Sequence, residues 1–190
     1  MSLDGLTETI DTVTQQADYS TSISIYDSLG DKHDLTICFE KTTGTNTWNY
    51  YVVTDAGELA DPSSIGYTDE YAFSIASGTL TFNTDGDLTG FTQNNTSLVT
   101  SWNYEGAAAQ DIVFDFGLDV NNNPTGNATL TQLASESTVT SIDQDGFGVG
   151  HLSNLEVRGD GTIVGIYDNG QDINMGQVTI AVFDSSDGLE

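Results

Sequence analysis

Apolar residues in this chain recur at every second position, in short runs broken by clusters of Gly, Asp and Asn, and this rhythm limits the fold more than any other feature. Strand side chains alternate between two faces, whereas helical positions return to one face after roughly 3.6 residues, so period-two runs describe half-buried strands. Strands are predicted near 20–26, 34–40, 47–54, 71–75, 78–83, 88–92, 97–103, 111–116, 128–133, 137–142, 152–158, 162–167 and 177–183. The breaks carry turn chemistry: "TDGD" at 84–87 and "GDG" at 159–161 put Gly where positive φ is wanted, and "NNNPTG" at 121–126 is a loop. Helical periodicity is nearly absent. The fold class is therefore all-β, with under about a tenth of the chain in helix.

The charge balance excludes several partners. Against 29 acidic residues stand three basic ones, Lys32, Lys41 and Arg158, for a formal net charge of −26. Nucleic acid needs clustered Lys or Arg to neutralise phosphate, and anionic membrane surfaces need the same, so both are ruled out as partners. Eight Tyr, eight Phe and two Trp spread through ordered patterns argue for a packed core, and 190 residues suffice for one large or two small domains. The single cysteine, Cys38, permits no intramolecular disulfide. In "LTICFE" it shares a strand face with Thr36 and Glu40, opposite Leu35, Ile37 and Phe39, and reads as a structural thiol. No run approaches the roughly 20 apolar residues of a membrane helix, and no signal-peptide pattern opens the chain. The ends, "MSL" and "LE", read as those of an excised fragment.

Two textures divide the chain. Residues 18–135 are rich in Thr, Ser, Asn and aromatics with long polar loops, whereas 141–190 is punctuated by Gly in "DGFGVG", "RGDGTIVG" and "YDNG".

The segment "SISIYDSLGDKHDLTICFEK", residues 22–41, raises the question of chemistry. Asp27, His33 and Ser28 could be written as a triad, and Asp27, Asp31, His33 and Asp34 as metal ligands. Residues this close in one turn rarely converge on a single reacting atom, and triads gather groups from distant parts of a chain. The better reading is a hairpin corner in which Asp27 and Ser28 cap backbone N–H groups and Gly30 takes the left-handed conformation. His33 and His151 both sit at strand edges beside turns, as structural histidines do. The Asp-Gly turns at Asn83, Asp85 and Asp87 and at Asp143 and Asp145 lack the further oxygens and flanking helices of an EF-hand calcium loop. "NNTS" and "NATL" fit the N-glycosylation pattern, a short motif with little weight. No catalytic, cofactor-binding or metal-ligating residue is assigned. Trp48, Trp102 and Tyr104, read as exposed aromatics, support an alternative: a secreted β-sandwich adhesin or carbohydrate-binding module.

The same residues resemble a known family. Tyr26, Asp27, Ser28, Leu29, Gly30, His33, Phe39 and Lys41 match in order the opening of the middle domain of bacterial flagellar hook proteins. A second block, 144–189, is similar to the inner-domain segment shared by hook and rod proteins. It is carried by Gln144, Asp145, Gly146, Phe147, Gly150, Leu152, Asp160, Gly161, Gly165, Tyr167, Asn169, Gly170, Gly176, Gln177, Phe183, Gly188 and Leu189. Asp168 stands where that pattern usually has Ser, and "FDSSDGL" replaces a run that usually contains Asn. The resemblance implies a structural subunit, not an enzyme, of the curved tubular joint that transmits motor torque to the filament. It implies two modules, an outer β-barrel or sandwich-like domain (18–135) inserted into a smaller β-rich inner domain (136–190), with 1–17 as the tail of that domain's first half or a linker. It further implies an extracellular location reached without a cleavable signal peptide, other copies of the subunit as partners, and no cofactor. The isolated chain is expected to be a monomer, because the family's assembly helices lie outside it and its charge opposes self-association.

Overall fold

A computed structural model describes residues 8–44, 46–60, 71–93, 104–110, 112–119, 121–127 and 129–179. The described residues run through one short helix, α1 (Ile10–Gln16), then β1 (Tyr19–Tyr26), β2 (Lys32–Lys41) and β3 (Thr47–Asp55). A 3-10 turn (Ala56–Glu58) follows, then β4 (Ala72–Phe82), β5 (Leu88–Gln93), β6 (Leu152–Val157), β7 (Thr162–Tyr167) and β8 (Asp172–Gln177). The strands form two antiparallel sheets, β1-β2-β3-β4-β5 and β6-β7-β8, each in sequence order. The chain is all-β, and it divides into two compact units between Gly146 and Phe147.

In the first unit the alternation on β2 works on both faces. Leu35 and Ile37 enter the main core with Tyr50, Val52, Phe73, Ile75 and Phe91, and Phe39 packs against it. Cys38 points the other way, into a smaller cluster with Val13, Val53 and Ala72. That second cluster lies under α1, whose Thr9 cap accepts from the Thr12 N–H and whose Val13 is buried. The helix was not foreseen, because Ile10, Val13 and Ala17 keep helical spacing over too few residues to register against the strand rhythm.

Among the described residues the order leaves β1 and β5 as the edges of a five-stranded meander, with no closed barrel. Coil takes the place of a facing sheet. Phe116 and Leu118 are buried in the main core, with Ile112, Phe114 and Leu130 against it. Phe116 meets Tyr50, Phe91 and Phe39 edge-on at centroid distances of 4.9, 5.6 and 6.3 Å. The apolar alternation over 112–116 and 129–133, the described parts of two predicted strands, thus reports coil anchored on a core, with single bridges Leu118↔Pro124 and Asp87↔Thr131 instead of strands. The Gln132 N–H donates to Gly86 O at 2.8 Å and the Trp48 indole N–H to Gln132 Oε1 at 2.9 Å, fastening this stretch to the first sheet.

Three other strand expectations need correction. The runs 71–75 and 78–83 form one strand, β4, which passes through Gly78. A Cβ at Gly78 would run into the Thr92 carbonyl and the Tyr50 ring, so the glycine admits a close approach within the strand. Residues 137–142 are exposed and unpaired, with Val139 and Ile142 facing solvent. The strand Asp172–Gln177 was not expected, because its alternation rests on Ile173 and Met175 alone among polar residues, and most of the strand predicted at 177–183 lies outside the described residues. The predicted strand at 97–103 and the last part of the block at 144–189 lie outside the described residues.

Candidate functional site

The β1–β2 corner is built around one carboxylate. Tyr26 pairs with Lys32, leaving Asp27 to Asp31 as the loop. Asp27 Oδ1 accepts from the N–H groups of Leu29 at 2.8 Å and Asp31 at 2.9 Å. Gly30 closes the turn with φ 86° and donates to Asp27 O at 3.0 Å. Burial pushes the Asp27 carboxyl up, but the N–H donors of Asp31 and Leu29, with His33, more than offset this and hold it below the usual carboxylate range. Ser28 Oγ accepts from the Ala108 N–H at 2.7 Å, pinning the coil that covers the sheet. Leu29, 54% exposed, projects from the tip.

His33 closes the corner from the other side. Its Nδ1 lies 2.6 Å from Glu58 Oε2 and its Nε2 3.4 Å from Asp27 Oδ2. The ring stacks on Tyr104 with centroids 3.3 Å apart and planes 3° from parallel. Tyr104 is 2% exposed, and its hydroxyl meets Thr54 Oγ1 at 3.2 Å. Burial pushes that phenol strongly up. The expectation of an exposed Tyr104 is therefore wrong, and Trp48 is half-buried against the core; Trp102 lies outside the described residues.

The corner brings together some of the residues that a reactive reading would need. Asp27 and His33 meet, but Ser28 spends its oxygen on Ala108, and no Ser28–His33 hydrogen bond forms among the described residues. Asp34 turns to Ser24 Oγ at 2.7 Å and Lys32 Nζ at 3.0 Å. Among the described residues no three His, Cys, Asp or Glu side chains are placed to hold a metal ion. The partners that sequence reasoning missed, Glu58 and Tyr104, are 25 or more positions away from His33 in the chain, and no local pattern points to them.

The second block supplies turn chemistry of the same kind. In the first unit Gln144 Oε1 accepts from the Gly146 N–H at 2.8 Å, and a Cβ on Gly146 would stand 3.5 Å from that of Tyr26. Asp145 is exposed beside them. In the second unit the β7–β8 turn closes with Gly170 (φ 85°) donating to Tyr167 O at 3.2 Å and Tyr167 to Gln171 O at 2.9 Å. Asn169 Nδ2 donates to Gly148 O at 2.7 Å, and a Cβ on Gly150 would stand 2.5 Å from that same nitrogen. Asp168 accepts from the His151 N–H at 2.7 Å, a bond that holds its carboxyl below the usual range. Gln177 Nε2 donates to Asp160 O at 3.0 Å, Phe147 is exposed, and Gly176 has open space around it that explains nothing about its identity. Leu155, Gly165 and Ile173 face one another across the sheet, and Leu155 and Ile173 are exposed.

Fold and site together define an all-β module whose polar groups are spent on turns and caps. The chain belongs to the family described as flagellar basal body protein FlaE D2 domain, whose model matches residues 5–147. It is 31% identical over 191 residues to the flagellar hook protein FlgE of Treponema pallidum (strain Nichols), covering 93% of this chain and 41% of that one. It is 31% identical over 169 residues to FlgE of Salmonella typhimurium (strain LT2), covering 88% and 36%. A solved 32 kDa fragment of FlgE from Caulobacter crescentus shares 27% identity over 45% of this chain and 24% of that chain, with a TM-score of 0.32. The chain thus spans about two fifths or less of the length of these curated relatives.

Proposed function

We propose that this chain is part of a structural subunit of the bacterial flagellar hook, the curved tubular joint that passes motor torque to the filament. The observation that carries the reading is the family match over 5–147 joined to hook-protein relatives that align with 88–93% of the chain. Residues 18–135 act as the outer module, 136–190 as the second half of the inner module, and 1–17 as the tail of its first half. The motif residues from Tyr26 to His33 and from Gln144 to Gln177 hold turns rigid and carry no catalysis or cofactor. The partners are other copies of the subunit, met outside the cell after export without a cleavable signal peptide. Contacts that slide as a polymer bends are best polar, wet and individually weak, which suits a surface rich in Thr, Asn and Asp. With a formal net charge of −26 per chain, neighbouring copies need screening by salt or bound cations. The test is deletion of 18–135 from the full-length parent. Altered hook shape or stiffness with impaired swimming supports the reading; normal hooks and motility refute the module's role, and a parent whose loss leaves cells fully flagellated refutes the family role.

A further inference from the structure

We propose that Asn169 is a site of spontaneous deamidation, and that the reaction releases the turn between β7 and β8 from the coil that leads into β6. The sequence holds one Asn-Gly pair, Asn169-Gly170. An asparagine followed by glycine is the pair most open to attack on its side-chain amide by the next backbone nitrogen, because no Cβ stands in the way. Around Gly170 the approach is clear: the residue is exposed, and a Cβ built on it would meet nothing within 4 Å. Its N–H donates to Tyr167 O over a long 3.2 Å, so a slight opening of the turn frees the nucleophile. The target amide is polarised in place. Asn169 Oδ1 accepts from the Gln171 N–H at 3.1 Å, which draws electrons from Cγ and stabilises the oxyanion that forms as the new bond is made.

The Gly170 nitrogen gives up its proton and bonds to Asn169 Cγ. The Cγ–Nδ2 bond breaks, and that nitrogen leaves with the proton as ammonia. Water then opens the cyclic imide at either carbonyl, leaving an aspartate or an isoaspartate whose main chain runs through Cγ. One water is consumed for each ammonia released. Either product undoes the contact that the amide made. Nδ2 donates to Gly148 O at 2.7 Å and to Gln171 Oε1 at 3.2 Å, and a carboxylate has only acceptors to offer in its place. Oxygen then faces oxygen where a hydrogen bond stood, with Gly148 O left to find another donor. The isoaspartate also lengthens the backbone between Tyr167 and Gln171, whose N–H to O bond of 2.9 Å closes the hairpin. Because that turn fixes how β7 lies on β8, refolding does not repair the damage. The chemistry is that of the second unit alone and does not depend on assembly into a polymer.

The test ages the 190-residue chain in mildly alkaline buffer and follows each asparagine by peptide mapping with tandem mass spectrometry. Asn169 is expected to deamidate several-fold faster than Asn154 and Asn174, which lie on the exposed strands of the same unit, with isoaspartate as the larger product. A rate no faster than theirs overturns the site. The release is read by hydrogen exchange at the Tyr167 N–H, expected to be several-fold faster in Asn169→Asp than in wild type and unchanged in Asn174→Asp, which adds the same charge. Equal exchange in wild type and Asn169→Asp overturns the release. Should Asn169→Asp fail to fold, the aged wild-type chain decides: faster exchange at Tyr167 in its deamidated fraction than in the intact fraction supports the release, and equal exchange overturns it.

Discussion

The two units use the same turn chemistry and differ in what lies behind it. In the first, β4 is buried at nine of its eleven positions, between an aromatic core on one side and α1 with Cys38 on the other. In the second, β6 and β8 are exposed at every position and β7 alone carries a buried residue pair, Val164 and Gly165. An Asp or Asn that caps a turn appears in both, as Asp27 and as Asn169. A well-capped turn therefore says nothing about how much apolar surface its strands bury. Burial sets where the stability resides, and turns set which register the strands adopt.

The sharpest way to break this contrast is to remove an aromatic from the first core and an apolar side chain from the second sheet. Phe91→Ala should cost about 3–5 kcal/mol, whereas Leu155→Ala should stay within about 0.5 kcal/mol, both read by denaturant unfolding. Equal costs would mean that the sheet of the second unit is as well packed as the first.

A smaller effect separates the two capped turns by pH. The carboxyl of Asp27 is held below its ordinary value, so its contribution is present above the unfolded value of about 3.9 and is lost as pH falls through the folded value. Asp27→Asn should destabilise the chain at neutral pH by about 1–3 kcal/mol and should flatten the acid limb of its stability profile. An acid limb as steep as that of the wild type would assign it to other carboxylates.

Within the second unit, two glycines of the same motif should part company. Gly150→Ala drives a methyl into the Asn169 side chain and should cost about 1–3 kcal/mol, while Gly176→Ala meets open space and should stay within about 0.5 kcal/mol. Thermal unfolding of both variants checks the difference.

The smallest effect should have the opposite sign. The Tyr50 hydroxyl is buried with no hydrogen-bond partner among the described residues, so Tyr50→Phe should leave stability unchanged or raise it by up to about 1 kcal/mol. A loss beyond that, in the same unfolding assay, would show that the hydroxyl has a partner in solution.

Strand rhythm made β1, β2, β3, β5, β6 and β7 legible, because each alternates strongly between Gly, Asp or Asn turns. The corner at Asp27, with its capping oxygens and left-handed Gly30, was legible for the same local reason. What escaped is non-local. Alternation over 112–116 reads as a strand because coil anchored by Phe114 and Phe116 presents apolar residues at the same interval. The partners of His33 escaped because Glu58 and Tyr104 reach it through the fold and not through the chain. The break between the predicted strands 71–75 and 78–83 is absent, because β4 runs on through Ala76 and Ser77 to Gly78, where the Tyr50 ring and the Thr92 carbonyl fill the space of a side chain.

The meander order of the first sheet also bears on how the chain acquires its structure. Every strand of the first sheet pairs with its neighbour in sequence, and the β1–β2, β2–β3 and β4–β5 pairings each close only a short loop, so these hairpins can form before the longer β3–β4 connection closes. The coil that carries Phe116 must then return across the finished sheet, which makes its docking a late event. Folding rates should therefore be nearly indifferent to Phe116→Ala while unfolding rates rise, a split that stopped-flow measurement across denaturant would expose. A chain organised this way can begin to order its first sheet while its later residues are still emerging.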